Sequence, residues 1–321
     1  MAEALELDEL RASALATIGT SKGYLGDPTG VRDLERALEL AVAANSPRAG
    51  TIANNIAVAA FFALDLRRAG ELFDEGRAIA ERFGDASGVR WLRAQQALYS
   101  LILGRWDDAL RMIEEFIAEC EAGSPHYLEG RTRENRAEIR EARGDVEGAL
   151  ADYHRAVTLA RSSNDPQVLL PTLGSVSLAF ETHGLADEAR DLAREVVELA
   201  RTYPHAAVWA LPPEFLLSRV ALECESELRE ALEDAPPGPW KELSFACLDR
   251  AFVRAAEMWA EAGSPPWEAR LRLRAAEELI ETGRRAEGEE QARRALAFYR
   301  TVGATHFVGR CEELLREAKT A

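Results

Sequence analysis

The sequence predicts an all-α fold: a right-handed superhelical solenoid of antiparallel helix hairpins with a period of about 40 residues. Three observations carry that expectation. Helix formers such as Ala, Leu, Glu and Arg dominate the chain, and β-branched runs are scarce. Three segments align without gaps at an interval of 40: Leu103-Gly104-Arg105-Trp106-Asp107-Asp108-Ala109-Leu110, Arg143-Gly144-Asp145-Val146-Glu147-Gly148-Ala149-Leu150 and His183-Gly184-Leu185-Ala186-Asp187-Glu188-Ala189-Arg190. An independent series of stops keeps the same interval, at Asn45-Ser46-Pro47, Phe83-Gly84-Asp85, Gly123-Ser124-Pro125, Asn164-Asp165-Pro166 and Tyr203-Pro204.

Each recurring position has a physical role. The glycine ends the first helix of a hairpin by adopting a left-handed conformation that other residues resist. An Asp or Glu soon after it suits the N-terminal turn of the second helix. The small Ala69, Ala109, Ala149 and Ala189 let the two helices approach closely. One copy, Leu64-Asp65-Leu66-Arg67-Arg68-Ala69, has lost its glycine, while Gly26-Asp27-Pro28 and Gly283-Arg284-Arg285-Ala286 mark a first and a last copy. This is a helix–turn–helix unit of the tetratricopeptide type. Its period exceeds the usual 34 residues, which implies helices longer by about a turn. Proline cannot continue a helix, so the stops mark boundaries between hairpins.

The later part of the chain keeps the period less well. Gly184 and Gly283 are not separated by a multiple of 40. Between them the pattern predicts a helix from about Pro213 to Leu232, a break at Ala235-Pro236-Pro237-Gly238-Pro239, and a helix from about Lys241 to Ala262. One continuous solenoid over residues 1–321 is favoured over two domains, with a degenerate section at 205–262. A closing helix at about 305–319 would cap the array with a polar face.

Composition sets limits on partners. A formal charge of −16 argues against nucleic acid, whose phosphates need a basic field. The longest apolar run, Ile56 to Leu64, is nine residues, too short to span a bilayer, and the acidic start from Met1 to Leu10 has no apolar signal region. The expectation is a cytoplasmic protein with no membrane partner. Cys120, Cys224, Cys247 and Cys311 are far apart, inside helical patterns and without a C-x-x-C, so they read as reduced thiols.

No catalytic set emerges, so the chain reads as a non-enzyme that needs no cofactor. Gly19-Thr20-Ser21-Lys22-Gly23 only superficially resembles a phosphate loop, because the required order is absent and no strand precedes it. The histidines, His126, His154, His183, His205 and His306, have no i, i+4 pairing, and no metal set is expected from them. The first helix of the fourth hairpin, Glu129 to Arg143, stands out because it is charged on nearly every side. In such arrays the first helices line the concave surface. The 40-residue register makes Asn55, Gln95, Asn135 and Ser175 equivalent, and Asn54, Trp91, Arg131, Glu134 and Glu138 lie around that column. These nine residues form either a mixed polar groove able to hold a peptide or small polar ligand, or a solvated helix face laced with Arg–Glu pairs.

Several segments together carry a resemblance. They are Asp33-Leu34-Glu35-Arg36-Ala37-Leu38-Glu39-Leu40-Ala41, Gly104-Arg105-Trp106-Asp107-Asp108-Ala109-Leu110, Ala142-Arg143-Gly144-Asp145 and Arg294-Ala295-Leu296-Ala297-Phe298-Tyr299-Arg300-Thr301-Val302-Gly303-Ala304-Thr305. The chain resembles the C-terminal tetratricopeptide region of bacterial signalling proteins that join a cyclase domain to an ATPase module. It is also similar to the corresponding region of maltose-regulator-type transcription activators. The resemblance implies a sensory or regulatory arm, either part of a longer protein or free-standing, and is weakest between 205 and 262. No cyclase domain, phosphate loop or DNA-reading helix-turn-helix accompanies it in these residues.

Two functions follow as expectations. The first is a scaffold or regulatory module binding a protein or peptide along its concave groove. The alternative is a small-molecule-sensing arm. A closed pocket with convergent polar groups separates the second from the first, which needs an open channel.

Overall fold

The computed structural model describes residues 7–203, 211 and 215–317, and among these residues every regular element is helical. Ten helices come first: α1 (Asp8–Tyr24), α2 (Thr29–Ala43), α3 (Arg48–Phe62), α4 (Leu66–Arg82), α5 (Ala86–Ile102), α6 (Trp106–Glu121), α7 (Glu129–Ala142), α8 (Val146–Ser163), α9 (Pro166–Thr182) and α10 (Ala186–Thr202). A 3₁₀ turn at Phe215–Leu217 precedes α11 (Arg219–Leu222) and α12 (Glu225–Glu233). The last five are α13 (Pro239–Leu248), α14 (Phe252–Ala262), α15 (Pro265–Glu281), α16 (Arg285–Thr301) and α17 (Thr305–Glu317). Consecutive helices pack in adjacent pairs, which is the arrangement of a helical solenoid.

The hairpin chemistry operates at the expected places. Gly104, Gly144 and Gly184 have φ of 76°, 87° and 79°, the left-handed region in which a side chain is strained. Asp65 and Asp145 accept hydrogen bonds from the backbone N–H of Arg68 and Gly148, capping α4 and α8. Ala69, Ala109, Ala149 and Ala189 are fully buried where the helices of a pair meet. The stretch Gly19–Gly23 is helix, not a loop. A Cβ on Gly19 would lie 2.6 Å from the Gly30 carbonyl oxygen, and Lys22 donates to Asp33 at 2.6 Å.

The section after α10 departs from expectation. In place of one helix from Lys241 to Ala262, the chain turns back at Arg250, whose φ is 58°, and forms the short hairpin α13/α14. Ala251 N–H donates to the Ala246 carbonyl and Arg250 N–H to that of Cys247, the closure a glycine would ordinarily make. Likewise the stretch before Leu232 is broken at Glu223–Cys224 into α11 and α12. Pro204, His205, Trp209, Pro213 and Lys319 lie outside the described residues.

The chain divides into two compact units, with boundaries inside α5 and α13. One comprises residues 1–96 with 235–240, and the other comprises 97–234 with 241–321. The first unit packs α1 to α4 around Leu34, Ala37, Ala41, Ile52 and Ile56. The segment Ala235–Trp240 belongs to it: Trp240 is buried, with its ring 5.5 Å from that of Phe61 and 5.2 Å from that of Phe62.

The second unit closes on itself. One apolar cluster joins Leu101, Trp106, Ile113 and Ile139 from its beginning to Leu273, Leu296, Tyr299, Cys311 and Leu314 from its end. Hydrogen bonds reinforce this closure. Ser264 Oγ donates to the Ile102 carbonyl at 2.8 Å, and Thr305 Oγ1 donates to the Arg143 carbonyl at 2.9 Å. The Arg143 guanidinium in turn reaches the Val302 carbonyl at 3.4 Å. The closing helix α17 therefore buries a face against α7 from the middle of the chain, where the sequence pattern predicted a cap at an open end.

Candidate functional site

The α7 helix supplies the polar side of the site, and most of its charges are buried or half-buried. Glu129, Arg133, Glu134, Asn135 and Glu141 are all less than 9% exposed. Buried charges require partners, and α7 finds them on its neighbours. Arg136 grips Asp152 of α8 with two hydrogen bonds of 2.7 Å, and Arg140 adds a third at 2.9 Å. Arg133 donates to Glu129 at 2.9 Å and to Glu121 of α6 at 2.7 Å. Arg131 pairs with Glu134 along the same helix.

On another side, α7 faces a cavity of about 170 Å³ inside the second unit. It is walled by α7, α8, α9, α15 and α17, with Leu217 of the 3₁₀ turn. Glu134, Glu138 and Glu141 line it from α7, and Ser175 lines it from α9. Arg270, Arg274 and Glu277 come from α15, and His306, Phe307 and Arg310 come from α17. Leu178, Leu273 and Phe307 add apolar surface. The space holds on the order of ten waters, or a ligand with a similar number of non-hydrogen atoms.

Most of these charges are held by the protein itself. The Glu141 carboxylate accepts from Tyr153 Oη at 2.8 Å and meets His183 Nε2 at 2.9 Å. Burial pushes the Glu141 carboxyl up, but the His183 bond, the charge of Arg270 and the Tyr153 bond outweigh it and hold the group below its ordinary value. The same bond to Glu141 raises His183 against a smaller opposing effect of burial. Burial pushes the Tyr153 phenol well above its ordinary range. Glu277 holds Arg310 at 3.1 Å.

Of the nine residues expected at a groove, the second unit brings Glu134, Glu138 and Ser175 to the cavity wall, with Arg131 held behind Glu134. Asn135 is buried but does not line the cavity, and its Oδ1 makes no hydrogen bond. Asn54, Asn55, Trp91 and Gln95 belong to the first unit. There Asn54 is buried, and Asn55 donates to Thr20 Oγ1 at 3.3 Å.

The α15 and α17 walls escaped the sequence reading, yet part of their signal is present. Arg274 stands nine residues before Gly283, as Asn135 stands nine before Gly144 and Ser175 nine before Gly184. Carrying the register through to the last hairpin turn places Arg274 in the same column and Glu277 opposite Glu138 in the count. For His306, Phe307 and Arg310 the count gives no such signal, because they lie after the Gly303 turn and not ahead of a hairpin glycine.

No family model matches the chain, and no curated protein matches it in sequence. Among solved structures, it is similar to one described as a "circular tandem repeat protein with novel repeat topology and enhanced subunit contact surfaces". That match has 14% identity and covers 97% of each chain, with a TM-score of 0.25. So loose a superposition carries no weight for function, and the assignment of a helical repeat fold stands on the helix pairs themselves. No described helix is long and apolar enough to cross a membrane, and no described group of His, Cys, Asp or Glu could hold a metal ion.

Proposed function

We propose that this chain is a non-catalytic regulatory module that binds a small polar molecule in the cavity of its second unit. The observation that carries the reading is the closure itself. The part of the inner column that lies on α7 and α9, where an open array would offer a groove, is here flanked by α15 and α17, leaving a partly open cavity with charged groups converging from several helices. A peptide running along the groove would need the space beside Glu134 and Ser175 that those two helices occupy. Glu134 and Glu141, the most buried carboxylates of the wall, are already bonded, the first by Arg131 and the second by His183 and Tyr153, so neither stands available as an acid or base. The resemblance to the repeat arms of cyclase–ATPase proteins and maltose-regulator-type activators supports a sensory setting.

A melting-temperature screen against small polar metabolites tests this. A ligand present at about 100 times its dissociation constant stabilises the folded state by about 2.7 kcal/mol. For a unit of this size that raises the melting temperature by about 5–10 °C. A peptide library that binds tightly while every small metabolite leaves the melt unchanged would return the assignment to a protein-binding scaffold.

A further inference from the structure

We infer that the cavity takes a small zwitterion, a molecule of amino-acid type with a carboxylate and an ammonium group joined by a short apolar spine. This rests on the reading of the cavity as a ligand site and narrows it to a chemical class. The evidence is a pair of opposite charges on the wall that the protein leaves short of hydrogen bonds.

Arg274 lines the cavity with its side chain only 14% exposed. Its Nε is buried without an acceptor, and its Nη1 approaches Glu277 only to 3.5 Å. Its other contact is the ring of Phe252, 5.5 Å away. Among the described residues Arg274 makes no hydrogen bond. A guanidinium presents a planar fork of donors that matches a carboxylate, and leaving its buried Nε unmet is unfavourable.

Glu138 is the complementary case. Its side chain is 16% exposed, its ion pair with Arg270 is 3.7 Å long, and it too makes no hydrogen bond among the described residues. The neighbouring charges differ: Glu141 is held by His183 and Tyr153, Glu277 by Arg310, and Glu134 by Arg131. One guanidinium and one carboxylate without hydrogen bonds therefore share a small cavity.

The summed charge of the wall selects among ligands. Glu134, Glu138, Glu141 and Glu277 set against Arg270, Arg274, Arg310 and the Arg131 that pairs with Glu134 leave the carboxylates and guanidiniums in balance. A phosphate dianion would add two negative charges to a set that is already balanced. A simple amine would leave Arg274 unmet, and a neutral sugar would pair with neither charge as an ion. A zwitterion adds no net charge and can satisfy both groups at once. Leu178, Leu273 and Phe307 suit its carbon spine.

The experiment uses the full chain and calorimetric titration, with melting temperature as the first screen. The probes are the twenty standard amino acids with β-alanine and γ-aminobutyrate. Matched half-ligands (propionate, ethylamine), inorganic phosphate, glucose and maltose complete the panel. At least one zwitterion should bind while propionate and ethylamine at the same concentration do not. Arg274→Gln and Glu138→Gln should each weaken that binding tenfold or more. Should either variant fail to fold, the contrast between zwitterion and half-ligands on the unmodified chain decides by itself. Binding of phosphate or a sugar with no zwitterion bound would overturn the ligand class and leave the cavity as a site. Unchanged affinity in both folded variants would overturn it as well. Silence from every probe would remove the class and the small-molecule reading together.

Discussion

At position 64 the hairpin turn places a leucine where glycine stands at 104, 144 and 184. Leu64 has φ 59°, and its turn closes with the same hydrogen bonds as its counterparts: Asp65 N–H to the Ala60 carbonyl at 2.9 Å, matching Asp145 N–H to that of Arg140. The left-handed backbone costs a residue with a Cβ about 1–2 kcal/mol, which the repeat as a whole offsets through the surrounding packing. Three substitutions measure this in urea unfolding. Gly184→Ala meets nothing within 4 Å of its new Cβ, so it should lose only the backbone preference, about 1 kcal/mol. Gly104→Ala should lose more, because the Cβ would stand 2.9 Å from Phe298 Cε2. Leu64→Gly should stay within about 1 kcal/mol of neutral, since relief of the backbone opposes the loss of a half-buried side chain. A loss at Leu64 as large as the 2–5 kcal/mol usual for emptying a core leucine would contradict the account.

Among the elements, α7 shows most plainly what sequence reveals and what it withholds. Its boundaries and its dense charge were legible from the period and from Glu129 to Arg143 alone. Its burial was not, because the helices that cover it, α15 and α17, arrive more than a hundred residues later, through a section where the period fails. A charged helix read in isolation looks solvated, and only the partners on α6, α8 and α9 show that Glu129, Arg133 and Glu141 are interior. The bond between Glu141 of α7 and His183 at the end of α9 has a pH signature. His183 is raised above its ordinary value near 6.5, so its contribution to stability is complete below that value and is lost as pH rises through the raised one. Glu141 is held below its ordinary value near 4.5, so its share is present above that value and is lost as pH falls through the lowered one. The pair should therefore stabilise most between about pH 4.5 and 6.5. His183→Gln should cost about 1.5–3 kcal/mol at pH 5.5, and the gap in urea midpoint should narrow by pH 8.5. A gap that stays constant or widens with pH would show that the imidazole is bound neutral.

At the scale of the whole chain, the hairpins were readable from a local signal, whereas the closure of the second unit was not. A glycine and an alanine at fixed spacing define one turn and one close approach, each settled within about twenty residues. Closure depends on Leu101, Ile113 and Ile139 meeting Leu273, Leu296 and Leu314, and nothing periodic distinguishes those side chains from others facing the next repeat. The difference has a measurable consequence. In an open array each repeat touches only its neighbours, so a change near α7 would not be felt by the last helix. In the closed unit, Arg143 at the end of α7 donates to the Val302 carbonyl, and its own carbonyl accepts from Thr305 at the start of α17. Cys311 of α17 is fully buried and burial pushes its thiol up to about 12, so its alkylation reports opening of that helix. Mass spectrometry of the native protein should find the half-buried Cys224 labelled first and Cys120, Cys247 and Cys311 protected. Arg143→Met should then speed labelling of Cys311 about 3–10-fold, the equivalent of one hydrogen bond of about 0.5–1.5 kcal/mol, while leaving Cys247 unchanged. Thr305→Val should act in the same direction from the other side of the contact. Equal labelling of Cys311 in the unmodified chain and in Arg143→Met would mean that α17 opens independently of α7, and the enclosure around the cavity would not hold in solution.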